Sequence, residues 1–253
     1  AHVKRRHMVC YINTNFTLVT PKVVDRIIDL GVDYFTLSMW AGTAKTYAVT
    51  HPNKNAATFH RVKETLALLN RKKPRHHPHI KVYHVISNLN YFELEEMLAF
   101  AKDTGSEAVE YTVTDTIPDR TNCLLLSKEQ LQECLAICER IKSKMAPDQS
   151  VDGVTVLGFD HFMRRLGDPR AVVAEYDSDF IDKLPCYVGW TYARILADGN
   201  VNSCLKSHRF PVGNLYEQSF TEIWNGTRQR EFREHALAPS KAADPFFKLI
   251  GND

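Results

Sequence analysis

Cys186 and Cys204 close the stretch CYVGWTYARILADGNVNSC, in which twelve residues, Gly199 and four more residues lie between two thiols. Asp198-Gly199 reads as the turn of a β-hairpin whose arms bring the cysteines toward one end. Thiolate sulfur is the preferred ligand of iron–sulfur clusters and a common one of structural zinc. A pair so placed is a disulfide, half of a metal site, or two packed side chains. Two ligands alone hold neither a cluster nor zinc well.

The other candidates are weaker. Cys134 and Cys138 stand at i and i+4, on one face of an amphipathic helix that also carries Leu131, Ile137 and Ile141. A C-x-x-x-C-x-x-C triad would hold a cluster, but Ile141 fills its third position, so these two read as small buried hydrophobes. His76, His77 and His79 sit among lysine, arginine and proline, which repel a cation and suit a solvated loop. Cys10, in a strand, and Cys123, at a loop end, read as packing. There is no G-x-G-x-x-G, Walker or G-x-S-x-G pattern. Nucleotide hydrolysis and serine-type hydrolysis lose support.

Strand and helix signals alternate through the first 145 residues. Strands are expected at 8–13, 32–38, 80–87 and 108–115. Helices are expected at 21–31, 56–73, 91–105 and 127–145, the last with Ser127 and Gln130 placed for a capping box. Four β-then-α units imply a parallel sheet. Such sheets keep functional groups at the C-terminal strand ends. The ends to watch are Asn13-Thr14-Asn15, Ser38-Met39-Trp40, Ser87-Asn88 and Asp115-Thr116. Past residue 146 a turn-rich linker with one short strand gives way to hairpin strands and short helices. Two domains are expected, at 1–147 and 148–253.

The bulk numbers exclude several classes. The chain has 253 residues, 44% hydrophobic and 25% charged, with net charge +2. That balance gives no reason to expect a nucleic acid partner. No apolar run reaches the ~18 residues of a membrane span, and the N-terminus is not a signal peptide. Six cysteines in a chain of this size without a signal point to a reducing compartment, the cytoplasm. Both ends read as cut: apolar residues run almost to Asp253, and a strand begins within ten residues of Ala1.

One family combines these features. The C-x(12)-G-x(4)-C spacing, followed by GNLYEQSFTEIWN, resembles the opening of the SPASM or twitch extension of radical SAM enzymes. NTNFTLVT resembles the end of the third barrel strand, with Phe16 where glycine is usual. LSMWAGTAKTYAVTHPNKNAATFHRV resembles the fourth strand and its crossover, with Trp40 in the place of aspartate. VYHVISNLNYFELEEMLAFAKDTGSEAVEY resembles the next two units. The resemblance implies an α/β fold, a partial (β/α) barrel of about four units followed by a small α+β SPASM-like domain with a β-hairpin. It implies Cys186 and Cys204 as ligands of an auxiliary [4Fe–4S] iron–sulfur cluster. It places S-adenosylmethionine near Ser38, Ser87 and Asn88, and implies an external electron donor and a peptide or small-molecule substrate. In the family, reductive cleavage of that cofactor gives a radical that takes hydrogen from the substrate. No catalytic acid or base is named by the resemblance.

Two family segments have no match here: the C-x-x-x-C-x-x-C motif and the GGEP-like segment. The later SPASM cysteines are not matched either. The chain therefore reads as the middle and late part of a larger enzyme, unable by itself to cleave S-adenosylmethionine. Its 8–13 edge should be bare and prone to aggregation. The alternative is a non-catalytic binding module with a metal hairpin, derived from the same fold.

Overall fold

The structure is a computed structural model. It describes all residues except 75–76, 118–119, 175, 177–182, 239–240, 242–243 and 251–253, and leaves out the side chains of 248–250. His76 of the histidine run lies outside the described residues. The chain divides into two compact units, Ala1–Tyr176 and Asp177–Asp253.

The first unit alternates as the periodicity predicts. After a short α1 (His2–Arg5) come β1 (Tyr11–Thr14), α2 (Pro21–Asp29), β2 (Tyr34–Ser38), α3 (Ala44–Thr50), α4 (Ala56–Lys72), β3 (His79–Ile86), α5 (Leu94–Thr104), β4 (Ala108–Val113) and α6 (Lys128–Ser143). Local chemistry sets the starts. Thr20 caps α2 ahead of Pro21, which needs no amide partner, and Ser127 with Gln130 forms the capping box of α6.

The unit continues past the expected boundary at 147 with β5 (Ser150–Val151), β6 (Val154–Leu157) and α7 (Phe159–Leu166). The reason is pairing. β6 adds to β4 in parallel, and Phe159, Phe162 and Leu166 of α7 join the same apolar core as the sheet. The short strand read as part of a linker is thus the fifth parallel strand. The sheet runs β1-β2-β3-β4-β6-β5, with β5 antiparallel at one edge and β1 at the other. It is open, with no closed barrel. Strand β1 begins at Tyr11 rather than at residue 8.

The two faces of the sheet differ. Ile80, Val82, His84 and Ile86 of β3 and Val109, Tyr111 and Val113 of β4 are buried in one core with residues of α2, α4, α5, α6 and α7. The alternate residues, Lys81, Tyr83, Glu110 and Thr112, are half-buried. This is the period-2 pattern of a sheet covered on one face.

The second unit is small. It contains α8 (Val188–Thr191), β7 (Arg194–Ile195), β8 (Asn200–Asn202), β9 (Gly213–Asn214), α9 (Phe220–Asn225), α10 (Thr227–Leu237) and α11 (Pro245–Ile250). The three strands form an antiparallel sheet in the order β7-β8-β9. Val201, Phe210, Val212, Ile223, Phe232, Ala236, Phe246 and Phe247 make its core. Among the described residues no helix is long and apolar enough to cross a membrane.

Candidate functional site

The hairpin is shorter than the sequence suggests. Its paired arms cover only Arg194–Ile195 and Asn200–Asn202, and Cys186 lies before α8 rather than on an arm. The turn is nonetheless fixed by Gly199. Its φ is +82°, and a Cβ there would lie 2.6 Å from Tyr216 Cδ2 and 2.7 Å from Asn214 Oδ1. Only glycine meets both demands.

Both cysteines pack against the unit's apolar core and are half-buried and unbridged. The Cys186 amide donates to the carbonyl of Ala236 at 2.9 Å, which ties the first thiol's backbone to α10. Cys204 follows β8 in a turn closed by Ser207. The Cys204 amide donates to Ser207 Oγ at 3.1 Å, and the Ser207 amide donates back to the Cys204 carbonyl at 3.3 Å. The Lys206 amide points at Cys204 Sγ, 3.4 Å away. Hydrogen bonds to sulfur of this kind are among the contacts that surround cluster-bound cysteines. Beneath this turn, buried Asn202 donates to the Ser207 carbonyl while its Oδ1 has no partner among the described residues, and buried Ser203 meets buried Gln229.

These thiols suit an iron–sulfur cluster in donor type and in the amide that faces one of them. They supply two of the roughly four thiolates that such a cluster takes. Among the described residues no group of three or more His, Cys, Asp or Glu is placed to hold a metal ion. The other sulfurs stand elsewhere. Cys134 and Cys138 are fully buried in the first unit's core, where contact between them and burial push the Cys138 thiol well up. His79 stacks on Tyr34 at 5.4 Å.

The C-terminal strand ends of the first unit carry polar groups in two different conditions. Ser38 Oγ donates to Asn13 Oδ1 at 3.1 Å, joining the ends of β2 and β1. Ser87 is buried, and its hydroxyl accepts the Leu89 amide at 3.3 Å inside its own loop. Asn88 Nδ2 donates to the Cys123 carbonyl at 2.7 Å, while its Oδ1 is buried without a partner among the described residues. Asn90 binds this edge together. Its Nδ2 donates to the carbonyls of Trp40 and Val85, both at 2.9 Å, and its Oδ1 accepts the Ser87 amide at 2.8 Å. Ser38 and Asn88 thus keep polar atoms that a ligand could use, whereas Ser87 is occupied by the loop.

Two constellations escaped the sequence reading. The buried Glu93 carboxylate accepts from the Gly42 and Thr43 amides and from the Thr43 and Thr46 hydroxyls, between 2.6 and 3.2 Å. It closes the start of α3, next to the end of β2. A glutamate early in a helix usually reads as a solvated residue, so no sequence signal marked it. The second is the half-buried sheet face. Lys81 Nζ lies 2.5 Å from Glu110 Oε2 and 5.6 Å from the Tyr83 ring, and Tyr11 meets Thr36 on the neighbouring strands. Burial opposes the Lys81 charge, but the hydrogen bond and charge of Glu110 outweigh it and hold the ammonium above its ordinary value. Burial also pushes the Tyr83 phenol up. The segment IKVYHVIS carried part of this signal, because Lys81 and Tyr83 share one parity, while His84 breaks the pattern on the buried face.

Residues 186–244 match the model of the SPASM family, an iron–sulfur cluster-binding domain. The match starts at Cys186 and contains Cys204. That segment of the second unit is thus similar to a SPASM domain. A curated relative, the tungsten-containing aldehyde ferredoxin oxidoreductase cofactor-modifying protein of Pyrococcus furiosus, is 23% identical over 239 residues, covering 91% of this chain and 63% of that protein. Among solved structures, Streptococcus suis SuiB bound to S-adenosylmethionine is similar with a TM-score of 0.61 and 11% identity, over 92% of this chain and 52% of SuiB. SuiB bound to its precursor peptide SuiA gives a TM-score of 0.59 and 13% identity, over 91% and 51%. The chain thus spans about half the length of these solved relatives. The likeness to them is one of fold.

Proposed function

We propose that this chain is part of a radical SAM/SPASM-type enzyme in which Cys186 and Cys204 supply two ligands of an auxiliary iron–sulfur cluster. The observation that carries the reading is the thiol pair. Both sulfurs are half-buried and unbridged at the head of the SPASM match, and one receives a backbone N–H. A cluster bound there would supply one-electron transfer or an iron atom open to a substrate ligand. The protein's part is to hold the sulfurs in place. The Ser207 turn fixes Cys204, the Ala236 carbonyl fixes the Cys186 backbone, and the apolar core beneath them limits water.

In the first unit, the strand-end edge is the proposed place for S-adenosylmethionine. Ser38 and Asn88 offer hydrogen-bonding atoms there. Ser87 serves through the loop it closes rather than by direct contact. The half-buried Lys81–Glu110 face offers paired charge and tyrosine rings for a polar substrate of peptide or small-molecule type. The 253 residues contain no C-x-x-x-C-x-x-C, so this chain alone is expected to form no 5′-deoxyadenosine.

The test is to read the coding sequence in frame on both sides of this region. A C-x-x-x-C-x-x-C segment upstream and further cysteines downstream are the expected result. A start and a stop codon at these positions would contradict the proposal and favour a metal-binding module without radical chemistry.

A further inference from the structure

The second unit carries one arginine whose surroundings are built for it. Arg233, on α10, lies between two indoles, with its guanidinium carbon 5.6 Å from the Trp190 ring and 4.7 Å from the Trp224 ring. The ladder continues on both sides. Tyr187 meets Trp190 edge-on at 6.0 Å, and Phe220 stacks on Trp224 at 5.5 Å. Arg233 Nε is fixed by the Gly189 carbonyl at 3.0 Å, which also accepts Gln229 Nε2 at 2.7 Å. Gly189 makes that approach possible, since a Cβ there would meet Phe232 at 3.0 Å and Arg233 Cγ at 3.1 Å.

The charge at this place is unbalanced. Among the described residues Arg233 has no carboxylate partner; its contacts are the Gly189 carbonyl and the two indoles. Burial is the one influence on its titration, and it pulls the guanidinium below its ordinary value. Two ring faces and one carbonyl hold the guanidinium but leave its charge without a counter-ion, so it keeps capacity for a carboxylate. The walls around it are open to solvent: Tyr187 is 59% exposed, Phe220 42% and Trp190 40%. Exposed aromatic rings next to a rigid arginine are the usual composition of a protein-recognition hot spot.

We propose that Trp190, Arg233 and Trp224 form a docking clamp for an acidic peptide segment. One Asp or Glu carboxylate pairs with the outward nitrogens of Arg233, and neighbouring apolar side chains lie along Tyr187 and Phe220. Charge complementarity selects this occupant. The planar fork of arginine, held at Nε, leaves its terminal nitrogens oriented for two parallel bonds to one carboxylate. The clamp rests on residues of the second unit alone and does not depend on what the thiol pair binds.

The test is a tryptophan-fluorescence titration of the whole chain with acetyl-Leu-Asp-Leu-Glu-Leu-amide and with its Asn/Gln isostere. The acidic peptide should give saturable quenching. The neutral isostere should bind at least about tenfold more weakly, the loss expected for charge-assisted bonds. Arg233→Lys, which keeps the charge and a fold checked by thermal melting, should lose about as much because lysine has no fork. No saturable quenching by the acidic peptide, equal affinity for the isostere, or unchanged affinity in Arg233→Lys would each overturn the proposal. So would inorganic phosphate competing as well as the peptide, which would mark a general anion site.

Discussion

Cys134 and Cys138 are neighbours on one helix, four residues apart, and both are fully buried among apolar side chains. Cys186 and Cys204 are far apart in sequence, half-buried, and held by turns and backbone hydrogen bonds. The first pair fills two positions of a C-x-x-x-C-x-x-C motif, with Ile141 in the third. Surroundings point the same way. A thiol buried in an apolar core without a cation or amide donor stays protonated and inert. The Cys186 and Cys204 thiols stand at the edge of a core, and the Cys204 sulfur faces a backbone N–H. The difference between the pairs is therefore one of solvation and donors, which no count of intervening residues contains.

The contrast can be broken most directly by alkylation of the native chain. Iodoacetamide should label Cys186 and Cys204, with exposed Cys123 as an internal standard, while Cys134 and Cys138 react at least about a hundredfold more slowly because they must wait for local opening. Similar rates for both pairs would remove the distinction. Serine substitution sharpens it on the stability axis. Cys138→Ser puts a hydroxyl into the core and should cost about 1–3 kcal/mol in urea unfolding. Cys204→Ser should cost less than about 1 kcal/mol, because that side chain is only half-buried. An equal loss would mean that both pairs are structural.

A smaller effect concerns the core around the first pair. His84 is fully buried, stacks near Tyr111 at 5.8 Å and, among the described residues, has no partner for either ring nitrogen. Burial lowers its pKa from 6.5 to about 3. The unfolded chain takes up the proton near the ordinary value, and the folded chain resists it until much lower pH. Stability from this group is therefore complete above pH 6.5 and is lost as pH falls toward 3. His84→Phe should flatten that part of the stability profile, measured by urea midpoints across the range. An unchanged acid slope would assign the loss to the carboxylates.

Much of the fold was legible because long periodic segments fix their own type. The helices at Pro21–Asp29, Ala56–Lys72 and Lys128–Ser143 have their caps and apolar faces written locally. The fifth parallel strand was not legible. Val154–Leu157 is four residues long and follows a turn at Asp152-Gly153, so its sequence resembles a linker until β4 is there to pair with it. The same reason moved the unit boundary to Tyr176. At the candidate site, Cys186 and Cys204 could be found from their spacing and the GNL phrase that follows. Glu93, Asn90 and the Arg233 clamp could not, because each gains its role from groups dozens of residues away. Ser87 was legible as a strand-end serine, but the Leu89 amide bond to its hydroxyl was not.

The measurement that tests the account most directly is anaerobic loading of the chain with iron and sulfide, followed by iron analysis and electron paramagnetic resonance of the reduced sample. With an added small thiol filling the ligand positions that this chain does not supply, the account predicts more iron held by the parent chain and by Cys134→Ala than by Cys186→Ala or Cys204→Ala. Iron retained equally by all four proteins, or lost with Cys134 rather than with Cys186 and Cys204, would contradict it.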